Sequence, residues 1–149
     1  MAEDDKPWRN KTDFQGFPIE VSKRQLRYIE LAKNMAKQSE YGKLKHGAVL
    51  VKGGSVLSAS FNKDKYSSFG ARFRDPNNGH ATHHAELGCV LAVDKSKISG
   101  ATMYVVRINN HGEFRLSKPC PMCHQILKHC GVKRVIYSTS EEKFMTYKI

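Results

Sequence analysis

The sequence predicts a layered α/β domain with helices packed on a mixed β-sheet. Three observations carry that prediction. Segments of helical periodicity alternate with short β-branched runs in the order α-β-β-α-β-α-β, with a further strand at the end. Gly, Pro and Ser punctuate the boundaries between them. The length of 149 residues, 40% of them hydrophobic, suits one domain with a sizeable core.

Residues 1–21 are polar and broken by Pro7, Gly16 and Pro18, and read as a loosely packed arm before a single domain over 22–149. Ser22 is placed as a helix N-cap. Leu26, Ile29, Ala32 and Ala36 follow at helical spacing, widened by Tyr28, Leu31 and Met35, and the helix is expected to end near Tyr41-Gly42. A hairpin follows, with strands over 48–51 and 55–60 around a Lys52-Gly53-Gly54 turn. Residues 62–80 carry Gly70, Pro76, Asn77, Asn78 and Gly79 and read as a long loop of the functional or mobile kind. "HAELGCVLAV" resumes helical character, "ATMYVVRIN" reads as a central strand, and "CPMCHQILKHC" as a short helix closed by Gly131. "KRVIYST" and "FMTYKI" complete the strands.

Composition narrows the function classes. No apolar run approaches the roughly 20 residues that span a bilayer, so no membrane role is expected. "MAEDDKPWRN" has no apolar signal core, and a cytoplasmic location is the expectation. The net charge of +11 concentrates anions near the surface and favours nucleotide or nucleic-acid partners. Four cysteines without an export signal argue against a disulfide framework. Cys89 and Cys130 read as small core side chains, whereas Cys120 and Cys123, spaced C-x-x-C, suit a metal site or a redox pair.

The chemistry concentrates in two stretches, "HATHHAELGCV" at 80–90 and "KPCPMC" at 118–123. Cys120 and Cys123 stand one turn apart at a helix start, where the helix dipole favours thiolates. His84 is the preferred third ligand because Glu86, two residues on, can reach metal-bound water without ligating. Three protein ligands, one open position and an adjacent acid/base describe a hydrolytic zinc centre. A closed structural site would require a fourth ligand, for which His83 and His124 are candidates. His80 and His83 otherwise read as solvated or hydrogen-bonded loop residues, with a second metal as the alternative.

"HAE" (84–86) followed by "PCPMC" (119–123) resembles the zinc-dependent cytidine/deoxycytidylate deaminase superfamily. "GAVLV" at 47–51, Asn62 and "GVKRVIYST" extend the resemblance over about residues 22–140. It implies a three-layer α/β/α fold with a five-stranded mixed sheet, and Zn2+ bound by His84, Cys120 and Cys123. Glu86 would carry protons from water to ring nitrogen 3 of cytosine and on to departing ammonia. Asn62 would hydrogen-bond the sugar, and the backbone around Ala85 and Ser117 would contact the base. Relatives usually assemble as dimers or tetramers, so a homo-oligomer is implied.

Lys118 stands where many relatives carry a glutamate or another residue before Pro-Cys, and base or phosphate contacts there are expected to differ. The short tail after "KRVIYST" allows a tight turn and an antiparallel fifth strand, as in free-nucleoside deaminases. Lys63, Lys65, Arg72 and Arg74 flank Tyr66, Phe69 and Phe73, a pattern suited to phosphate binding and base stacking or to a lid pinned by aromatics. Phe144 or Tyr147 is a candidate for closing a base pocket. The expected function is zinc-dependent deamination of a small cytosine nucleoside or nucleotide. The alternatives are an editing deaminase acting on cytosine in single strands or adenosine in transfer RNA, and a non-catalytic zinc-binding interaction module.

Overall fold

The computed structural model describes residues 16–40, 44–66, 69, 72–73 and 82–149. Helix α1 (Lys23–Ala36) opens with a reciprocal cap. Ser22 Oγ accepts the Gln25 amide at 3.1 Å, and Gln25 Oε1 accepts the Ser22 amide at 2.9 Å. The helix ends at Ala36, short of the expected Tyr41-Gly42, both of which lie outside the described residues. The amides of Gln38 and Ser39 bond back to Met35 and Ala36, three residues away, and this tightening closes the last turn. Ser39 is then buried, its hydroxyl donating to the Asn62 carbonyl at 3.4 Å.

Strands β2 (Lys45–Lys52) and β3 (Ser55–Phe61) form the expected hairpin. Gly53 and Gly54 turn it with φ of 59° and 80°, a conformation that glycine adopts freely. β2 begins earlier than its hydrophobic run because Lys45 and His46 pair with Ile108 and Arg107 of β6 (Thr102–Ile108). Val49 and Val51 pack on the α1 side with Ile29, Ala32 and Ala36. Ala48 and Leu50 pack on the opposite side. A strand buried on both faces has no polar alternation, which explains the unbroken "AVLV" run.

The second face is covered by α2 (Ala85–Leu91) and α3 (Pro121–Cys130), so the domain has the three α/β/α layers expected. Gly131 closes α3 in the left-handed region at φ 87°. The principal strands run β3-β2-β6-β8-β9, with β8 at Arg134–Ser138 and β9 at Phe144–Lys148. β6 and β8 are parallel, joined through α3, and β9 returns antiparallel to β8.

Two short strands enlarge the expected five-stranded sheet to seven. β1 (Phe17–Ile19) pairs with β9 from within the stretch read as an arm. β7 (Phe114–Arg115) pairs with Arg107 and Ile108 of β6, beyond the segment that β8 occupies. The 62–80 segment also departs from a plain loop, since β4 (Lys63–Tyr66) pairs with β5 (Thr82–His83) as a separate ribbon. Cys89 and Cys130 are buried in the core, as expected; burial pushes the Cys89 thiol up to about 12. Among the described residues no helix is long and apolar enough to cross a membrane.

At Gly47 the backbones of β2 and α1 touch: a Cβ there would run into the Ala32 carbonyl oxygen and the Ala36 amide. Gly47→Ala is therefore expected to cost about 1–3 kcal/mol through forced separation of the two elements. Thermal unfolding would show it as a lower Tm, and an unchanged Tm would contradict so close an approach.

Candidate functional site

Two helix starts build the site. His84 is the N-cap of α2 with φ −67° and ψ 159°, and Cys120 is the N-cap of α3 with φ −68° and ψ 165°. The same extended backbone at both caps turns each side chain away from its helix, and neither makes a side-chain capping bond. Pro121 occupies the first turn of α3, where its fixed φ suits the helix and its missing N–H is no loss. Cys123 stands three residues after the N-cap, the spacing at which capping-box side chains meet.

The ligand atoms of His84, Cys120 and Cys123 lie within 4.8 Å of one another, the group among the described residues that can hold a metal ion. His84 Nδ1 is 3.2 Å from Cys123 Sγ and 3.7 Å from Cys120 Sγ. Tetrahedral zinc with ordinary Zn–N and Zn–S bonds places such atoms about 3.6 Å apart. The donor set fits the ion in both chemistry and spacing.

Electrostatics point the same way. Glu86 is only 5% exposed, and burial holds its carboxyl above the ordinary value. Cys120 is held well below the usual thiol value, chiefly by the hydrogen bond from the Cys123 thiol, which prevails over burial. Cys123 correspondingly keeps its proton, raised by that bond to Cys120 and by burial. Burial disfavours charge on His84, but Cys120 and Glu86 outweigh it and raise the imidazole. Two thiols and a carboxylate this close cannot all ionise unless a cation joins them.

A cleft of about 250 Å³ opens onto this cluster, lined by the predicted Asn62, His84, Ala85, Glu86, Ser117 and Cys120. Asn62 also clamps the chain: its Oδ1 accepts the His46 amide at 3.0 Å and its Nδ2 donates to the Leu44 carbonyl at 2.8 Å. Ser117 is buried, its amide donating to the Ser138 carbonyl and its hydroxyl 2.8 Å from Val105 O and Ser138 Oγ. Its carbonyl is thus the part of its backbone suited to a base. Leu44, His46 and Lys118 complete the lining. The sequence reading missed His46, whose one signal was a histidine just before the hydrophobic run of β2.

Other candidates fall elsewhere. His124 is buried against Tyr147, with ring centroids 5.6 Å apart, and does not join the metal-holding group. Tyr147 belongs to the core, and Phe144 packs edge-on against Phe114 in the other layer, so neither lines the cleft. Phe69 and Phe73 stack with centroids 5.3 Å apart, Phe73 within the core, and the Arg72 guanidinium lies 5.0 Å from the Phe69 ring. Those two aromatics pin the segment. Arg74 and His80, and the side chains of Lys65, Tyr66 and His83, lie outside the described residues.

Residues 22–139 match the cytidine and deoxycytidylate deaminase zinc-binding region, and the chain belongs to that family. It is 27% identical over 126 residues to a deoxycytidylate deaminase of Mycobacterium phage D29, covering 74% of this chain and 90% of that protein. The fold is similar to the dCMP deaminase of cyanophage S-TIM5, solved in apo form, with a TM-score of 0.57 at 24% identity over 79% of this chain and 84% of that one. The same phage protein in complex with dCMP and dUMP matches with a TM-score of 0.57, also at 24% identity, over 80% and 83%. A structure from work on adenosine-to-inosine editing by transfer-RNA deaminases at the wobble position matches with a TM-score of 0.50 at 23% identity, over 75% and 74%.

Removing one thiol tests the cluster directly. Cys123→Ala is expected to lower bound zinc, measured by elemental analysis of purified protein, from about one equivalent to well below it. Cys89→Ala, which alters a core thiol that bonds to the Ala48 carbonyl outside the metal-holding group, is expected to leave zinc content unchanged.

Proposed function

We propose that the protein is a zinc-dependent hydrolytic deaminase that converts a cytosine nucleoside or its 5′-monophosphate to the uracil form. The observation that carries this reading is the grouping of His84, Cys120 and Cys123 beside a cleft whose lining includes the buried Glu86. A closed structural site has no use for that carboxylate.

His84 Nδ1 and the two cysteine sulfurs would hold the metal. Zinc, when bound, lowers the pKa of water and so supplies a nucleophile near neutral pH. Glu86 does the proton work. Its carboxylate takes a proton from the attacking water and delivers it to ring nitrogen 3 as oxygen bonds to carbon 4. It then passes the water's second proton to the exocyclic nitrogen as the carbon–nitrogen bond breaks and ammonia leaves. Burial favours the protonated carboxyl, which suits a group that must accept a proton and then return it. The Ala85 and Ser117 backbones orient the base, and Asn62 holds the sugar side of the cleft.

Two observations bear on the substrate. The phage relative is by name a deoxycytidylate deaminase, which supports a monophosphate, and Lys118 in the cleft wall adds positive charge there. The antiparallel β9 is the arrangement that the family resemblance attaches to free-nucleoside deaminases. Both support a small substrate over a polynucleotide.

An ammonia-release screen of zinc-loaded protein separates these cases. It covers cytidine, deoxycytidine, their 5′-monophosphates, single-stranded oligonucleotides and transfer RNA. A free nucleoside or monophosphate is expected to turn over, and Glu86→Gln to lower kcat by about 10²–10⁴-fold with zinc retained. Turnover unaffected by Glu86→Gln would end the proposed role, and turnover confined to polynucleotides would reassign the substrate.

A further inference from the structure

His46 stands near the start of β2, where it lines the cleft with His84, Glu86 and Cys120. Its Nδ1 lies 3.2 Å from the Leu44 carbonyl oxygen. A carbonyl can only accept, so Nδ1 carries the hydrogen and Nε2 presents a lone pair. Burial lowers the His46 pKa to about 4 although the Leu44 carbonyl opposes this, and the Arg107 guanidinium adds to the lowering. The ring is therefore neutral at physiological pH and offers Nε2 as an acceptor. Its position is fixed from behind, since Asn62 grips the His46 amide through Oδ1 and the His46 carbonyl accepts the Asn62 amide at 3.3 Å.

The depth of the cleft says which part of a substrate meets this acceptor. A base must reach Glu86, which is 5% exposed, to exchange protons with it. Its sugar then trails toward the open side, marked by Leu44 at 48% exposure. His46 and Asn62 are joined to that Leu44 carbonyl, so they form the wall that the sugar passes. His46 is half-buried in the cleft lining, and a pentose passing it carries few hydroxyl donors that could meet an acceptor there.

We propose that His46 Nε2 accepts a hydrogen bond from the pentose 3′-hydroxyl and so makes the cleft selective for nucleosides and nucleotides that carry it. The inference rests on the cytosine-deaminase reading of the cleft but concerns sugar recognition, which the metal ligands and Glu86 do not determine. His46 is a specificity residue, and its hydrogen bond is made equally before and after the base reacts. Its loss therefore weakens binding and leaves kcat nearly intact.

The test is equilibrium binding of the reaction products, which needs no turnover. Calorimetry on the zinc-loaded protein would compare 2′-deoxyuridine with 2′,3′-dideoxyuridine, each as nucleoside and as 5′-monophosphate. The wild type is expected to favour the hydroxylated partner by about 3- to 10-fold, the size of one neutral hydrogen bond. His46→Phe is expected to bind both alike, near the affinity of the dideoxy form, with zinc content and Tm maintained. His46→Gln, whose amide oxygen can accept, is expected to restore part of the preference and guards against a packing defect in the Phe variant. With deoxycytidine or its monophosphate as substrate, His46→Gln and His46→Phe are expected to raise KM while kcat changes less than twofold. Discrimination kept in His46→Phe, no discrimination in the wild type, or no binding of either product would each overturn the proposal. Product discrimination without ammonia release from any cytosine substrate would instead overturn the deaminase reading and leave the His46 contact standing.

Discussion

Everything at this site depends on a concentration of buried acidic groups that one cation can reconcile. Cys120, Cys123 and Glu86 meet His84 where two helices begin. Without a cation the proton is shared unequally: Cys120 gives it up readily and Cys123 holds it. The helix starts ease this in part, because their free amides and dipoles favour negative charge. A divalent ion does far more, converting mutual repulsion into common ligation. The three-layer fold is the means of assembly. β6 lies centrally, flanked by β2 and β8, and delivers the chain to the Cys120 cap, while α2 packs beside α3 on the same face.

That arrangement also explains why the sequence separates the ligands as it does. His84 and Glu86 cap and open one helix, Cys120 and Cys123 cap and open the next, and a sheet strand runs between. N-cap residues project away from the helix axis in an extended conformation, so two caps of matching φ and ψ can aim at one point. Cys123 joins them from one turn inside α3. Glu86 sits one position beyond the first residue of α2, which offsets it from His84 and keeps its carboxyl out of the metal-holding group.

Much of this was legible in the residues. The "AVLV" run gave a strand buried on both faces, Gly131 marked the end of α3, and "HAE" with "PCPMC" located the metal group. The features that escaped are those set by distant pairing. β1 and β7 span three and two residues, too short for any periodicity, and exist because β9 and the end of β6 have open edges. The early end of α1 follows from Ser39 turning inward to the Asn62 carbonyl, a contact made across the hairpin. Phe69 and Phe73 sit among basic residues in sequence yet stack together, Phe73 within the core, because local pattern does not reveal which side of a segment meets the protein.

Asn62 shows how a residue's resemblance to a binding group can understate its work. Its carbonyl accepts from Ser39, its amide donates to His46, and both ends of its side chain engage the 44–46 backbone. It therefore joins the end of α1, the start of β2 and the end of β3 at the mouth of the cleft. A side-chain amide has two N–H donors and two acceptor lone pairs, so one N–H remains after the Leu44 bond. Sugar contact and clamping are thus compatible in one side chain, but they are not independent. The clamp fixes where His46 and Leu44 stand, and through them the width of the wall that a pentose must pass. Substituting Asn62 changes the wall and the contact together, whereas His46 can be altered with the clamp in place, because Asn62 holds its backbone and not its ring. On the proposed reading of the cleft, sugar recognition is consequently separable at His46 in a way that it is not at Asn62.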